Sequence, residues 1–260
     1  MQAQKPLSVS PLQGMPLFAP GMSVAAEVVA AMLRDGDVVR SGDIVVVAQK
    51  IVSKVEGRIV RLADVQPGAP ARELAAKAAR EPEMAQLILD ESSEILRATL
   101  AAIIARHKTG HVLANAGIDA SNVEHGDGGT VLLWPTDPDA SARAIRAELA
   151  ALTGQHPAVV IADSLGRAWR IGTVGAAIGC AGLCVLDDRR GTGQDLFGRT
   201  LQATVIAVAD AVAAMAVLAM GEGAEGTPVA LVRGGGHWVT DDDGPGAASA
   251  LRPQAEDMFR

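Results

Sequence analysis

The stretch GDIVVVAQKIVSKVEGRIV, residues 42–60, decides the fold. Gly42 and Asp43 break the chain, and the run IVVVA after them is short, unbroken and β-branched, the pattern of a strand buried on both faces at about 44–48. Gly57 introduces a second strand at about 58–62, and the polar segment from Gln49 to Glu56, with its two lysines, reads as the loop between them.

Working outward, such runs alternate with Ala-rich helical ones, which predicts a mixed α/β (α+β) protein without an internal repeat. Residues 70–89 carry Leu74, Ala78, Met84, Leu87 and Ile88 among charges, an amphipathic helix interrupted near Pro82, and a further helical run is expected over about 90–105. Asp137-Pro138-Asp139 supplies an N-cap, a proline at the first helical position and an acidic first turn. Ile145, Leu149 and Leu152 then form one stripe before Gly154 ends that helix. A strand at 158–162 delivers Asp163 to its C-terminal end, where open α/β sheets assemble ligand sites. A last strand, Val229–Val232, runs into Arg233 and three glycines. The segment Thr240–Ala248, with three aspartates and two glycines, reads as soft.

Composition narrows the function classes. The chain has 260 residues, 49% of them hydrophobic, with 23 Lys and Arg against 30 Asp and Glu, so it lacks the basic surplus that a phosphate backbone attracts. Three Phe, three Trp and no Tyr leave little for base stacking, and no nucleic-acid partner is expected. Cys180 and Cys184 stand in an apolar run without metal-ligand spacing, which suits buried thiols in a reducing compartment and predicts a cytoplasmic address. Ile171–Leu186 is uncharged but too short and glycine-rich for a membrane span. Leu201–Met220 carries Asp210 at its centre, so both segments read as interior and no membrane partner is expected. No secretion signal is expected from the opening residues.

Neither a P-loop nor a dinucleotide glycine fingerprint occurs. Polar groups isolated in apolar or glycine-bounded segments are the remaining chemical signal: Lys50 with Lys54, Asp119 with Asn122, Asp163 with Ser164, and Glu222. Acid, amide and hydroxyl oxygens suit a hard cation such as magnesium or manganese, and lysines beside them suit phosphate. Each has an ordinary alternative. An aspartate at a strand end is commonly a turn former, loop lysines are commonly solvated, and GIDASN reads as turn and capping groups. His111, His156 and His237 lack ligand spacing and read as structural or surface residues, and Asp210 in its helical run needs a structural partner.

Longer strings carry more. GDIVVVAQKIVSKVEGRIV (42–60), ANAGIDASNV (114–123), LLWPTDPDASARAIR (132–146), VVIADSLGRAWRIGTVGAAIGCAG (159–182) and PVALVRG (228–234) resemble, in order, the coenzyme F-420 zero-glutamate form:L-glutamate ligase (gamma-glutamyl ligase) family. The likeness runs from the Gly14-Met15-Pro16 turn to the closing RPQAEDMFR. It implies one ligase domain over residues 1–260, divisible into two subdomains, with mixed sheets and an intertwined homodimer; the reductase domain fused to this ligase in some bacteria is not expected here. It implies an enzyme that adds L-glutamate to a deazaflavin coenzyme precursor through an acyl phosphate. GTP would be a substrate giving GDP and phosphate, with magnesium or manganese, and with potassium as a further ion.

Position by position, the resemblance implies that Met15, Pro16, Leu17 and Phe18 form a nucleotide-contacting turn. Gln49, Lys50 and Lys54 match the phosphate and nucleotide loop, Asn122 a nucleotide contact, and Met220, Gly221, Glu222, Gly223, Ala224, Glu225, Gly226 and Thr227 a nucleotide-binding stretch. Asp119 and Asp163 match one metal site, Ser164 and Glu222 a second. One of Arg167 and Arg170, just past the Asp-Ser pair, is assigned to a substrate carboxylate or phosphate because Arg suits bidentate oxyanion recognition. The chain departs from the family pattern at Val205 and Ala211, around AVAD (207–210), and at Gln49, where some relatives carry a hydroxyl residue. An amide ligase for another acceptor and a catalytically silent GTP-binding regulator are the alternative readings.

Overall fold

The computed structural model describes residues 6–121 and 129–257. Its central sheet has five strands in the order β1 (Ser8–Pro11), β12 (Val229–Arg233), β2 (Ile44–Ala48), β8 (Ala158–Arg167) and β9 (Arg170–Ala181). Only β2 and β8 run parallel; their ladder extends from Ile44 opposite Ala158 to Ala48 opposite Ala162. The expected buried strand at 44–48 is therefore the middle of the sheet, and its residues serve two cores in alternation. Val45 and Val47 point to helices α1 (Val24–Arg34) and α5 (Pro138–Thr153), whereas Ile44 and Val46 point to α6 (Val208–Met220). The result is a helix–sheet–helix sandwich, a mixed α/β architecture as expected.

A second lobe packs around its own core of Ala71, Leu74, Ile88, Ile103, Ala105 and Val131. It contains α3 (Ala69–Ala78), α4 (Pro82–Glu91), the three-stranded sheet β4 (Ser92–Ala98), β5 (Ile103–His107), β6 (Val112–Ala114), and the pair β3 (Ile59–Arg61) with β7 (Thr130–Leu132). The break expected near Pro82 is real: Ala79 turns left-handed (φ 49°), and Pro82 starts a new helix where its missing N–H costs nothing. The helix expected over 90–105 is instead the β4–β5 hairpin. Ala-rich composition favoured helix there, but Ile103, Ala105 and His107 are buried on one face of a strand paired to β4 and β6, and that ladder overrides propensity.

Three further expectations are corrected. Gln49–Glu56 is not a loop: Gln49–Val55 form α2, because Ile51, Val52 and Ser53 are buried while Lys50 and Lys54, one turn apart, share the open side. The stripe of α5 is Ala142, Ile145, Arg146 and Leu149; Leu152 is 52% exposed. Thr240–Ala248 is pinned rather than soft, since buried Arg146 bonds Asp243 Oδ1 (2.8 Å) and the Thr240 carbonyl (2.7 Å), and Asp139 accepts the N–H of Ala247 (2.7 Å). The caps of α5 are as expected: Asp137 accepts the Ala140 N–H at 2.9 Å, and Gly154 closes the helix left-handed.

The apolar run 171–186 is half interior. Its first residue, Ile171, is fully exposed, as Trp169 just before the run largely is, while β9 is buried towards its end. A β-bulge at Ile178, between the pairs Gly179–Ile161 and Ala177–Ala162, turns the strand's faces over next to Asp163. Gly175 consequently abuts α6 and Gly179 abuts α5. A Cβ would stand 2.4 Å from the Ala213 carbonyl at the first and 2.3 Å from the Pro138 carbonyl at the second. Asp210 has the structural partner its position demands, accepting the Ala177 N–H at 2.9 Å. Leu201–Met220 is a core helix only from Val208 onward; Val205–Ala207 form β11. Gly175→Ala and Gly179→Ala are each expected to destabilise the fold by about 1–3 kcal/mol through overpacking, read as a lower urea midpoint; an unchanged midpoint would contradict the close packing of β9 against both helices.

Candidate active site

The cavity opens at the C-terminal end of the parallel pair. β2 hands over at Ala48 directly to α2, which carries Gln49, Lys50 and Lys54, and β8 continues past Ala162 through Asp163 and Ser164 along its hairpin with β9. Asp163 thus lies within a strand that outruns its parallel partner, not at a strand end. A cavity of about 370 Å³ lies here, within reach of a small-molecule ligand. Its lining contains Met15, Pro16, Leu17 and Phe18 from one segment, Gln49, Lys50 and Lys54 from a second, Asp163 and Ser164 from a third, and all of Met220–Thr227 from a fourth. Backbone bonds tie these walls together: Ala48 N–H donates to the Pro228 carbonyl (2.8 Å) and Gly21 N–H to that of Val55 (2.9 Å). Buried Thr227 closes the base of the 220–227 loop by donating its hydroxyl to the Met220 carbonyl at 2.7 Å.

Charges at the cavity are under tension. Lys50 Nζ pairs with Asp119 Oδ2 at 2.8 Å, and Asp119 Oδ1 also accepts the Ser121 N–H at 2.6 Å. Burial works against the charged form of Asp119, and these bonds more than offset it, so its carboxyl is held below the usual range. Asp163 goes the other way. Burial pushes it up to about 6 despite bonds from Trp134 Nε1 (2.8 Å) and its neighbour Ser164 N–H (2.8 Å); nearby Lys50 pulls it down and the Asp119 charge pushes it up. Lys54 is lowered by burial and by the like charge of Lys50. Two lysines facing a cavity, the charge of Lys54 disfavoured by burial, favour an anion, and two desolvated carboxylates close by favour a cation.

Not every expected residue converges. Arg167 and Arg170 stand at the exposed tip of the β8–β9 hairpin and do not line the cavity; Arg167 reaches only the Ile171 carbonyl, at 3.5 Å. Asn122 lies outside the described residues. Among the described residues no three His, Cys, Asp or Glu side chains gather into a ready-made metal cage. The oxygen donors Asp119, Asp163, Ser164 and Glu222 nevertheless suit magnesium or manganese, which are commonly held by one or two carboxylates and completed by phosphate oxygens and water. His156 and His237 are exposed, as expected for surface residues, and His111 is structural. Gln49, expected in the nucleotide loop, is buried at the cavity: its amide donates to Ser53 Oγ (2.6 Å), and its Oε1 has no partner among the described residues, whereas sequence reasoning passed over Trp134, which binds Asp163.

Comparison with known proteins follows the same outline. The family model described as F420-0:Gamma-glutamyl ligase matches residues 14–234. The chain is 42% identical over 256 residues to the coenzyme F420:L-glutamate ligase of Methanothermobacter thermautotrophicus, covering 98% of this chain and 99% of that one. It is 41% identical over 255 residues to the Archaeoglobus fulgidus protein of that name, covering 98% and 96%, and 43% identical over 222 residues to that of Methanocaldococcus jannaschii, covering 85% and 86%.

Behind Asp163, His111 packs edge-on against Trp134 at 5.3 Å between ring centres and shares Thr109 Oγ1 (2.9 Å) with His107. Burial and the neighbouring His107 drop His111 to about 4. The unfolded chain takes up this proton near pH 6.5 and the folded chain only near 4, so the contribution of His111 to stability falls as pH falls through that window. Relative to wild type, His111→Gln should gain about 2 kcal/mol between pH 7 and pH 5, measured by urea unfolding at both values. A gap that stays constant with pH would contradict a neutral, buried His111.

Proposed function

The chain belongs to the F420-0:gamma-glutamyl ligase family, and from that premise we propose that it is a cytoplasmic, GTP-dependent ligase that joins L-glutamate to a coenzyme F-420 precursor. Family membership makes it a ligase of coenzyme F420 biosynthesis with small-molecule substrates. No helix among the described residues is long and apolar enough to cross a membrane.

One observation carries the finer reading. Four segments, far apart in the chain and assigned to nucleotide and metal by resemblance alone, line a single cavity in which burial works against the charges of Lys54 and Asp163. A carboxylate resists attack by an amine because oxide would have to leave. In the proposed reaction a carboxylate oxygen of the precursor attacks the γ-phosphorus of GTP, the bond from that phosphorus to the β-bridging oxygen breaks, and GDP departs. The glutamate amine then attacks the acyl carbon of the resulting acyl phosphate, phosphate leaves with the bonding pair, and the amine loses a proton to solvent.

Lys54 and Lys50 line the phosphate end and would neutralise charge on the transferring group, while the 15–18 turn and the 220–227 loop would hold base and ribose. Magnesium or manganese held by Asp119, Asp163, Ser164 and Glu222 would bind phosphate oxygens and draw off their charge. Potassium would be a supplementary ion. Arg167 and Arg170 stand outside the cavity at the exposed hairpin tip, and one of them would meet the anionic acceptor there. The same tip carries exposed Trp169 and Ile171, and exposed Leu196 and Phe197 follow on the next loop; apolar surface of this kind supports a homodimer.

The test is mass spectrometry of a reaction containing the protein, GTP, Mn2+, L-glutamate and the zero-glutamate precursor, with GDP measured in parallel. Product heavier by one or more glutamyl units is expected. Asp163→Ala should abolish it, and Lys54→Ala should lower turnover about 100-fold or more. Binding of GTP without glutamate-dependent GDP release would overturn the ligase assignment for this chain.

A further inference from the structure

Asp163, which lines the cavity, and Asp119, which pairs with the cavity's Lys50 from outside its lining, are held by one short piece of chain. Strand β7 ends at Leu132, whose N–H donates to the Asp119 carbonyl (2.8 Å) and whose carbonyl accepts the Asp119 N–H (3.0 Å). Two residues on, Trp134 is completely buried and its indole N–H donates to Asp163 Oδ2 at 2.8 Å. The indole has little room to move. His107 and His111 pack on it with ring centres 5.2 and 5.3 Å away, and a Cβ on Gly117 would stand 2.4 Å from Nε1. Its main chain is equally confined: Arg58 Nε donates to the Trp134 carbonyl (2.9 Å) while its guanidinium holds Glu91 (2.5 Å).

A buried tryptophan needs some acceptor, and a backbone carbonyl would serve packing just as well. Here the acceptor is a carboxylate at the cavity. The Ser164 N–H holds Oδ1 and the indole holds Oδ2, so the plane of the Asp163 carboxylate is set and its remaining lone pairs are left for a ligand. We propose that Trp134 is a positioning residue which, together with the Leu132 bridge to Asp119, sets the separation and orientation of the two carboxylates that take up a divalent cation. The inference rests on the metal reading of Asp119 and Asp163 given above. Outer groups of this kind characteristically change metal affinity 10- to 100-fold when removed.

Mn2+ alone is the probe, its free concentration followed by electron paramagnetic resonance. Trp134→Phe keeps an aromatic ring between the histidines and removes only the N–H and the second ring. It is expected to stay folded, to bind Mn2+ about tenfold more weakly, and to show the loss in the KM for Mn2+ more than in kcat. Unchanged Mn2+ affinity in the folded variant would overturn the proposal. A measurement on the wild-type protein stands independently of that variant's folding. Indole 15N–1H signals from the three tryptophans, assigned with Trp169→Phe and Trp238→Phe, are followed during Mg2+ addition. The Trp134 signal should move along the binding curve while that of exposed Trp169 does not, and a stationary Trp134 signal at saturation would overturn the proposal. Failure of the wild-type protein to bind Mn2+ at all would bring down the metal reading and the proposal with it, a result distinct from binding that ignores Trp134.

Discussion

The parallel ladder between β2 and β8 ends with Ala48 opposite Ala162, and the chemistry begins one residue later on both strands. That register sets Gln49 and Lys50 beside Asp163 and Ser164, and a slip of one residue would turn each strand's side chains to the opposite face. The rest of the sheet secures it. β12 pairs antiparallel with the other edge of β2, bringing the 220–227 loop to the same end, and Ala48 bonds Pro228 as that loop closes. On the far side, the β9 bulge and the two close-packed glycines let α5 and α6 seat on opposite faces of one strand. The second lobe reaches the site through β7, whose Leu132 carries Asp119 and whose neighbour Trp134 touches Asp163.

This convergence costs stability. Asp163 is desolvated strongly enough that its carboxyl is pushed up to about 6, so at neutral pH the folded chain holds a charge it would hold more easily unfolded. One indole N–H, one backbone N–H and a nearby ammonium compensate it only in part. Lys50 is already committed to Asp119, and Lys54 feels Lys50 as a like charge. A site of this kind gains from the arrival of a cation among the carboxylates and phosphate among the lysines, and that gain is available to bind and align substrate.

Much of the fold was legible because local and tertiary preferences agree. IVVVA has no good alternative to a central strand, and Asp137-Pro138 with Gly154 marks both ends of α5 by capping chemistry alone. Where they disagree, the sequence misleads. SSEILRATLAAIIARH is rich in Ala and Leu, and only the ladder of β4, β5 and β6 makes it a hairpin; QKIVSKV reads as loop until Ile51 and Val52 find the core against α1. Of the site, spacing alone left Lys50, Lys54 and Asp119 with ordinary surface readings, and the resemblance of long strings selected them. Trp134 falls inside one of those strings, LLWPTDPDASARAIR (132–146), but neither spacing nor the resemblance gave it a role. The available signal was a lone tryptophan in an aromatic-poor chain, three residues before a helix cap, where an indole N–H must find a partner inside the protein.

The central claim is that Asp163 is held desolvated for a ligand rather than for the fold. Urea unfolding of wild type and Asp163→Asn at pH 8, with divalent metal removed from both, tests it most directly. If the claim holds, the variant is more stable by about 2 kcal/mol, because shedding the buried charge gains more than is lost when the amide, keeping its oxygen for Trp134, no longer accepts the Ser164 N–H. A variant less stable than wild type, with the same dependence on urea, would show that the Asp163 charge serves the fold and would contradict the account.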